Sequence, residues 1–281
     1  MKIAIQGEPG SFSHEAALKL VPDAEIVPCA LSAEVFAALA PRTGTPTADA
    51  AVIPIENSLA GSVLEHFDLL LEHEVRVTAE TLVRIRHNLI ATPGASMAEI
   101  DCVLSHPVAL AQCRRFLAAH PRMKAVAYYD TAGSVKQLME SGDRHGAAIA
   151  SQAAARHYGA QVLEAGIEDN PENYTRFFLV RRSRDAAAGS TGPGANKISV
   201  AFSVENRPGS LAAALNELAA LGTNLTKIES RPVHGKPWEY IFYVDYQIGS
   251  SEEGPRALAA LGRHCAMVKE LGRYQSGGEP A

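Results

Sequence analysis

Polar residues gather in this 281-residue chain where short apolar runs give way to helical patterns. Five such junctions occur: residues 7–14 (GEPGSFSH), 56–62 (ENSLAGS), 105–107 (SHP), 130–134 (DTAGS) and Ser151. In α/β sheets, ligands bind at the carboxyl ends of parallel strands. Helix N-termini there present free N–H groups and partial positive charge, which favour anions. Ser, Thr, Asp and Asn are also ordinary N-caps, so each junction alone signals little. As a set they point to one cleft for a carboxylate-bearing ligand. Residues 170–180 (NPENYTRFFLV) add a polar loop carrying Asn173, Thr175 and Arg176 that runs into an apolar strand. An Arg on a cleft wall can hold a carboxylate through two parallel N–H bonds.

Other chemistries lack their residues. The Gly-rich stretch after the first strand fits neither G-x-G-x-x-G nor G-x-x-x-x-G-K-[ST], so a nucleotide is not expected. Neither H-E-x-x-H nor a Cys/His cluster calls for a metal, and the four cysteines, Cys29, Cys102, Cys113 and Cys265, form no C-x-x-C pair. Buried free thiols are the expectation. Adjacency of Ser105 and His106 does not make a nucleophile–base pair. A net charge of −5 leaves no basic footprint for nucleic acid. The opening MKIAIQGEPG lacks the apolar core of a signal peptide, and no apolar run reaches the length of a membrane span. The chain is read as cytoplasmic, with no membrane partner.

The elements that must position these residues fall into two rhythms. Up to about residue 182, strands alternate with helices: strands at 2–5, 50–55, 100–104, 124–129 and 146–150, and helices from about 13, over 62–71, from 107 through 120, after 131, and from 151 through 158. This alternation predicts a mainly parallel sheet covered by helices. Residues 76–92 alternate apolar and polar and read as one long strand, a crossover between two halves. The expected lobes are 1–75 with 158–182, and 76–157. Residues 183–196 (SRDAAAGSTGPGAN) have linker composition. Beyond them, strand 197–205, helix 210–221 ended by Gly222, strands 224–233 and 238–248, helix 252–265 and strand 267–271 give the order βαββαβ. About 80 residues make a thin core, so a sheet edge buried in a dimer is expected.

At this point the motifs carry a resemblance. GEPGSFSHEAA at 7–17, PIENSLAGSV at 54–63, SHPVALAQC at 105–113, DTAGSV at 130–135, AAIAS at 147–151 and NYTRF at 173–177 resemble prephenate dehydratases in order and spacing. ENRPGSL at 205–211 and IESRP at 228–232 are similar to the ACT regulatory domain those enzymes carry. The resemblance spans nearly the whole chain. It implies an α/β fold: a two-lobed, periplasmic-binding-protein-like catalytic domain over 1–182, the linker 183–196, and a ferredoxin-like ACT domain over 197–275.

The implied reaction is loss of CO2 and water from prephenate to give phenylpyruvate, with no cofactor and no metal. Thr175 is then the central catalytic residue, with Glu56, Asn57, Ser105 and Gln112 beside it. Arg176 is expected to clamp a carboxylate, Ser58, Thr131 and Ser11 to contact substrate, and Phe177 to pack the cleft floor. Val108 stands where the family often has Gln, which puts the polarity of that wall in question; Ser134 and Ser11 are milder departures. In the ACT domain the resemblance implies phenylalanine as effector at a dimer interface, with Asn206, Gly209, Ser210, Leu211, Asn224, Thr226, Glu229, Ser230 and Arg231 as contacts. A homodimer or homotetramer is expected. Two alternatives stay open: arogenate as the substrate, and a non-catalytic protein that binds an amino acid.

Overall fold

A computed structural model describes residues 1–39, 47–186, 194–233, 235–250 and 252–278. Half of the expected linker, 187–193, lies outside the described residues, as does His234 in the expected hairpin turn. Along the chain run β1 (Lys2–Gln6), α1 (Phe12–Leu20), β2 (Glu25–Cys29), α2 (Ser32–Leu39), β3 (Ala50–Asn57), β4 (Gly61–Ser62), α3 (Leu64–Glu72), β5 (Val75–Arg84), β6 (Asn88–Ala91) and β7 (Cys102–Ser105). There follow α4 (Pro107–Gln112), α5 (Arg114–Ala119), β8 (Lys124–Ala127), α6 (Thr131–Ser141), β9 (Gly146–Ala150), α7 (Gln152–Tyr158), β10 (Gln161–Ala165) and β11 (Tyr174–Arg182). The chain then runs through β12 (Lys197–Ser203), α8 (Ser210–Ala220), β13 (Leu225–Pro232), β14 (Tyr240–Gln247), α9 (Glu253–Gly262) and β15 (Met267–Tyr274). Two units form: Met1–Val63 with Leu82–Phe177, and Leu64–Thr81 with Phe178–Gly278.

The first unit holds two sheets. In one, β1 lies between β2 and β3, parallel to both. Ile3, Ala4, Ile5, Val52, Ile53 and Ile55 are fully buried, as strands covered on both faces require. The short β4 turns back antiparallel onto β3, pairing Asn57 with Gly61 and Glu56 with Ser62. The helix expected from residue 62 therefore starts two residues later, at Leu64. In the other sheet the order is β10-β6-β9-β7-β8, with β7 parallel to β8 and β9, and β6 antiparallel to β9 and β10.

Three expectations change here. The long strand read over 76–92 is two strands, because the chain leaves the ladder at Ile85–His87: Ile85 N–H donates to Asn173 O (2.7 Å) and His87 N–H to the Glu168 carboxylate (2.9 Å). The helix read over 107–120 breaks at Cys113, where φ −121° and ψ 29° end α4 and begin α5. Residues 161–165 pair with β6 and so join the second sheet, not the lobe containing β1.

In the second unit β12, α8, β13, β14, α9 and β15 follow the expected βαββαβ order, with strands arranged β13-β14-β12-β15. Gly222 (φ +72°) closes α8: its N–H donates to Ala219 O and that of Thr223 to Leu218 O, a Schellman ending. Buried Ile198, Val200, Phe202, Leu218, Val244 and Leu261 form the core. The thin core is thickened from within the chain. Gly272 of β15 pairs with Val77 of β5, and Phe67 of α3 packs 4.9 Å from Tyr243. Arg231 pairs with Asp68, Lys269 donates to Leu70 O, Leu71 O and His73 O at the end of α3, and buried Lys197 meets buried Glu80 at 3.0 Å.

Candidate active site

Within the first unit a cavity of about 460 Å³ opens where strands of both sheets end. Four of the five polar junctions line it: Phe12 and Ser13 after β1; Asn57, Gly61 and Ser62 after β3; His106 and Val108 after β7; Asp130 and Thr131 after β8. Gln112, His87, Thr175 and Phe177 complete the polar and aromatic wall. The fifth junction goes elsewhere. Ser151 caps α7 and its hydroxyl donates to Gly10 O at 2.6 Å, tying α7 to the loop after β1. Gly10 (φ +88°) permits this approach, since a Cβ there would stand 2.6 Å from the Ala154 Cα. Ser11 is the N-cap of α1, accepting from His14 N–H at 3.3 Å, and Asp130 is the N-cap of α6.

The inner wall is a chain of side-chain amides. The Asn57 oxygen accepts from Leu59 N–H (3.0 Å) and Ala60 N–H (2.8 Å), which fixes which end of the amide is nitrogen. Asn57 Nδ2 then donates to Asn173 Oδ1 (2.8 Å), Tyr174 O (3.2 Å) and Thr175 Oγ1 (2.9 Å). Asn173 Nδ2 donates to Gln112 Oε1 (3.0 Å), which also lies 2.9 Å from His87 Nε2. Thr175, Asn173 and His87 are buried. Ser58 braces the loop: its N–H donates to Tyr174 O at 2.8 Å, and its hydroxyl accepts from Tyr174 N–H at 3.0 Å.

Thus Asn57, Gln112, Thr131, Thr175 and Phe177 share the cavity, with Val108 at its exposed rim. Glu56 and Arg176 do not. Successive residues of a strand face opposite sides, so with Thr175 and Phe177 on the cavity, Arg176 points away. It meets Glu56, which alternates with Asn57 in the same way, at 3.7 Å. The carboxylate clamp expected of Arg176 is absent from this wall. Ser105 is fully buried and donates to Ile149 O at 2.6 Å, holding β7 to β9, while Ser11 and Ser58 act as cap and brace.

Sequence reasoning missed Ser13, His87 and His106, and left Asn173 without a role. Asn173 was findable, because it is two residues before Thr175 on the same strand face. Burial lowers the pKa of His87, against smaller raising effects from Gln112 and Glu168. With Nε2 beside an amide oxygen, the imidazole is neutral and carries its proton on Nε2. Burial raises the pKa of Asp130, opposed by main-chain hydrogen bonds from Glu8, Gly133 and Thr131. Glu8 pairs with Lys136 at 3.2 Å, and burial with the Glu8 charge pushes the Tyr129 phenol up to about 12.

The effector candidates divide into separate places. Gly209 (φ +82°) and Ser210 line a cavity of about 660 Å³ with Arg207, Arg263 and His264; Asn206 and Leu211 flank that turn. On β13 the burial alternates: Thr226 and Ser230 face out, while Glu229 and Arg231 share the other face, where Arg231 pairs with Asp68 and Lys227 covers the Phe67 ring. Asn224 donates to the Gln247 side chain at 3.2 Å.

The profile of the family described as Prephenate dehydratase matches residues 3–185, and that of the ACT domain matches 198–246. The Arabidopsis thaliana protein named Arogenate dehydratase/prephenate dehydratase 2, chloroplastic, is 37% identical, over 98% of this chain and 72% of its own. A solved protein titled GqqA, a novel type of quorum quenching acylases, superposes with TM-score 0.87 at 31% identity, over 98% of each chain. The prephenate dehydratase of Arthrobacter aurescens, solved in complex with L-Phe, superposes with TM-score 0.85 at 32% identity, over 100% of this chain and 92% of its own. Among the described residues no helix is long and apolar enough to cross a membrane.

Proposed function

Because the chain belongs to the prephenate dehydratase family, we propose that its cavity converts prephenate to phenylpyruvate, with Thr175 as the hydrogen-bond donor to the departing hydroxyl. The ring carboxylate leaves as CO2, its bonding electrons enter the ring, and the ring hydroxyl leaves, taking one proton to become water. Aromatisation drives the reaction, so the protein must orient the substrate and stabilise the oxygen as it gains charge. The observation that carries this reading is the hydrogen bond from Asn57 Nδ2 to Thr175 Oγ1. An amide nitrogen cannot accept, so the Thr175 hydrogen is left for the substrate. A donor already aimed at developing charge is worth far more than one that must reorient. The first turns of α1 and α6, at Ser13 and Thr131, offer N–H dipoles for the substrate carboxylates in place of a cationic clamp.

Replacing Thr175 with Ala is expected to lower turnover on the order of 100-fold or more. Absorbance of phenylpyruvate formed from prephenate measures it, and turnover near wild type rules the reading out. Arogenate is the second reading, favoured by the double name of the Arabidopsis relative; initial rates on both compounds, measured side by side, separate the two. An acyl-transfer reading finds no support, since it needs a nucleophile activated by a base. Thr175 accepts from an amide and Ser105 donates to a main-chain oxygen.

The second unit is read as the phenylalanine sensor, supported by the ACT profile and the L-Phe complex of the Arthrobacter relative. Gly209 and Ser210 at the start of α8 are the contacts this reading favours, with a second copy of the chain completing the site. Inhibition by phenylalanine and a dimer or tetramer in sedimentation are the expected results. A cytoplasmic location accompanies this reading, and cell fractionation tests it.

A further inference from the structure

We infer that His87 and Asn173 are positioning residues that lock Gln112 as a hydrogen-bond donor toward the substrate. This inference rests on the dehydratase reading of the cavity and extends it to two buried residues.

Gln112 lines the cavity, and a free glutamine side chain could turn either its oxygen or its nitrogen to the ligand. Here the choice is made from behind. Gln112 Oε1 takes hydrogen bonds from Asn173 Nδ2 at 3.0 Å and His87 Nε2 at 2.9 Å. Asn173 cannot turn over, because its own oxygen accepts from Asn57 Nδ2 at 2.8 Å. Asn57 cannot turn over either, because its oxygen holds the N–H groups of Leu59 and Ala60. Each member fixes the direction of the next, and the series is anchored on main chain at one end. At the other end His87 is held by its own N–H to Glu168 and by the edge contact of its ring with Phe12, 5.8 Å between centroids.

The outcome is a wall of one polarity. With Gln112 Oε1 occupied, its Nε2–H groups remain for the cavity; the one nearby acceptor, Asn57 Oδ1, is 3.5 Å away. The Thr175 hydroxyl likewise has its oxygen occupied and its hydrogen available. Two donors then face one oxygen that gains negative charge, and both are set before the substrate arrives. A flipped Gln112 would turn an oxygen toward that charge and bring its NH2 against those of Asn173 and the imidazole N–H.

Three variants test this on the full chain, by kcat and KM for prephenate and arogenate. His87→Leu removes one donor, and Asn173→Asp, which keeps the shape, replaces the other with an acceptor. Each is expected to lower kcat by roughly 10- to 100-fold while KM moves less than about threefold, as for a misdirected catalytic group. His87→Gln supplies an N–H near the position of Nε2 and should recover most of the lost kcat. Wild-type kcat in Asn173→Asp together with either His87→Leu or an inactive His87→Gln overturns the inference. Thr175→Val is the control. If it is inactive while the Asn173 and His87 variants run at wild-type rate, the dehydratase reading stands and the positioning role fails. If it is fully active, both fall.

Discussion

Asn57 Nδ2 stands 2.9 Å from Thr175 Oγ1, joining the end of β3 to the start of β11. The bond has a direction, and the chemistry depends on it. Replacing Asn57 with Asp keeps the shape and the two main-chain bonds to Leu59 and Ala60, but turns the donor into an acceptor. The Thr175 hydroxyl would then point at residue 57. Turnover is expected to fall on the order of 100-fold with little change in KM. Initial rates of phenylpyruvate release measure it, and an unchanged kcat refutes the donor role.

Gly10 predicts a cost in stability. Its φ of +88° is strained for any side chain, and an added Cβ would strike the Ala154 backbone at 2.6 Å. Gly10→Ala is expected to lower stability by about 2 kcal/mol or more, as strain and overpacking combine. Urea unfolding would show it as a shifted midpoint; an unshifted midpoint means the loop can move away.

Lys197 and Glu80 are both buried in the second unit, and Glu80 also accepts from Gly277 N–H at 3.0 Å. Lys197→Met leaves a carboxylate buried among fewer cations and is expected to cost about 3–5 kcal/mol. Adding Glu80→Gln removes that charge while keeping an acceptor for Gly277, and should recover part of the loss. Thermal melts of the single and double variants decide this; a double variant no more stable than the single one argues against a charge effect.

His87 makes stability fall on the acid side of neutrality. Burial lowers its folded pKa below the ordinary 6.5, so below that pH the unfolded chain binds a proton that the folded chain does not. Stability therefore declines as pH drops from about 6.5 toward the lowered folded value. His14 and His73, both lowered chiefly by burial, act in the same sense. His87→Gln should flatten the decline between about pH 7 and pH 5.5. Denaturant melts over that range measure the slope, and an equal slope in the variant excludes His87 as a source.

Much of the fold was legible where apolar runs were continuous and capped. The buried runs of β1, β3 and β9, followed by Gly7, Asn57 and Ser151, needed no tertiary information. Strand β2 (EIVPC) escaped because it carries a Pro and is only partly buried, so it shows neither a continuous run nor alternation. The break at Ile85–His87 was invisible for another reason. Burial keeps alternating through it, and only the partners of its N–H groups change. The cavity was half legible: cap residues announced four of its walls. Arg176 was misread because a charged residue beside Thr175 suggested a shared cleft, although strand parity sends the two side chains apart. His87 gave no sign, since its role depends on meeting Gln112 from a distant element.

The border between the two sequence profiles and the border between the two units do not coincide. The profiles part between residues 185 and 198, yet α3 and residues 75–81 of β5 belong with the C-terminal strands. Phe67 rests on Tyr243, Val77 pairs with Gly272, and Glu80 meets Lys197. The regulatory portion is therefore not a detachable cassette. A gene truncated after residue 182 would keep an amphipathic helix and part of a strand whose covering surface had been deleted, and such a fragment should aggregate. A chimera that transplants residues 197–275 onto another catalytic portion inherits the same debt. It must bring along the complementary faces of Leu64–Thr81, so recombination between relatives is constrained at two separated stretches of the gene rather than at one joint.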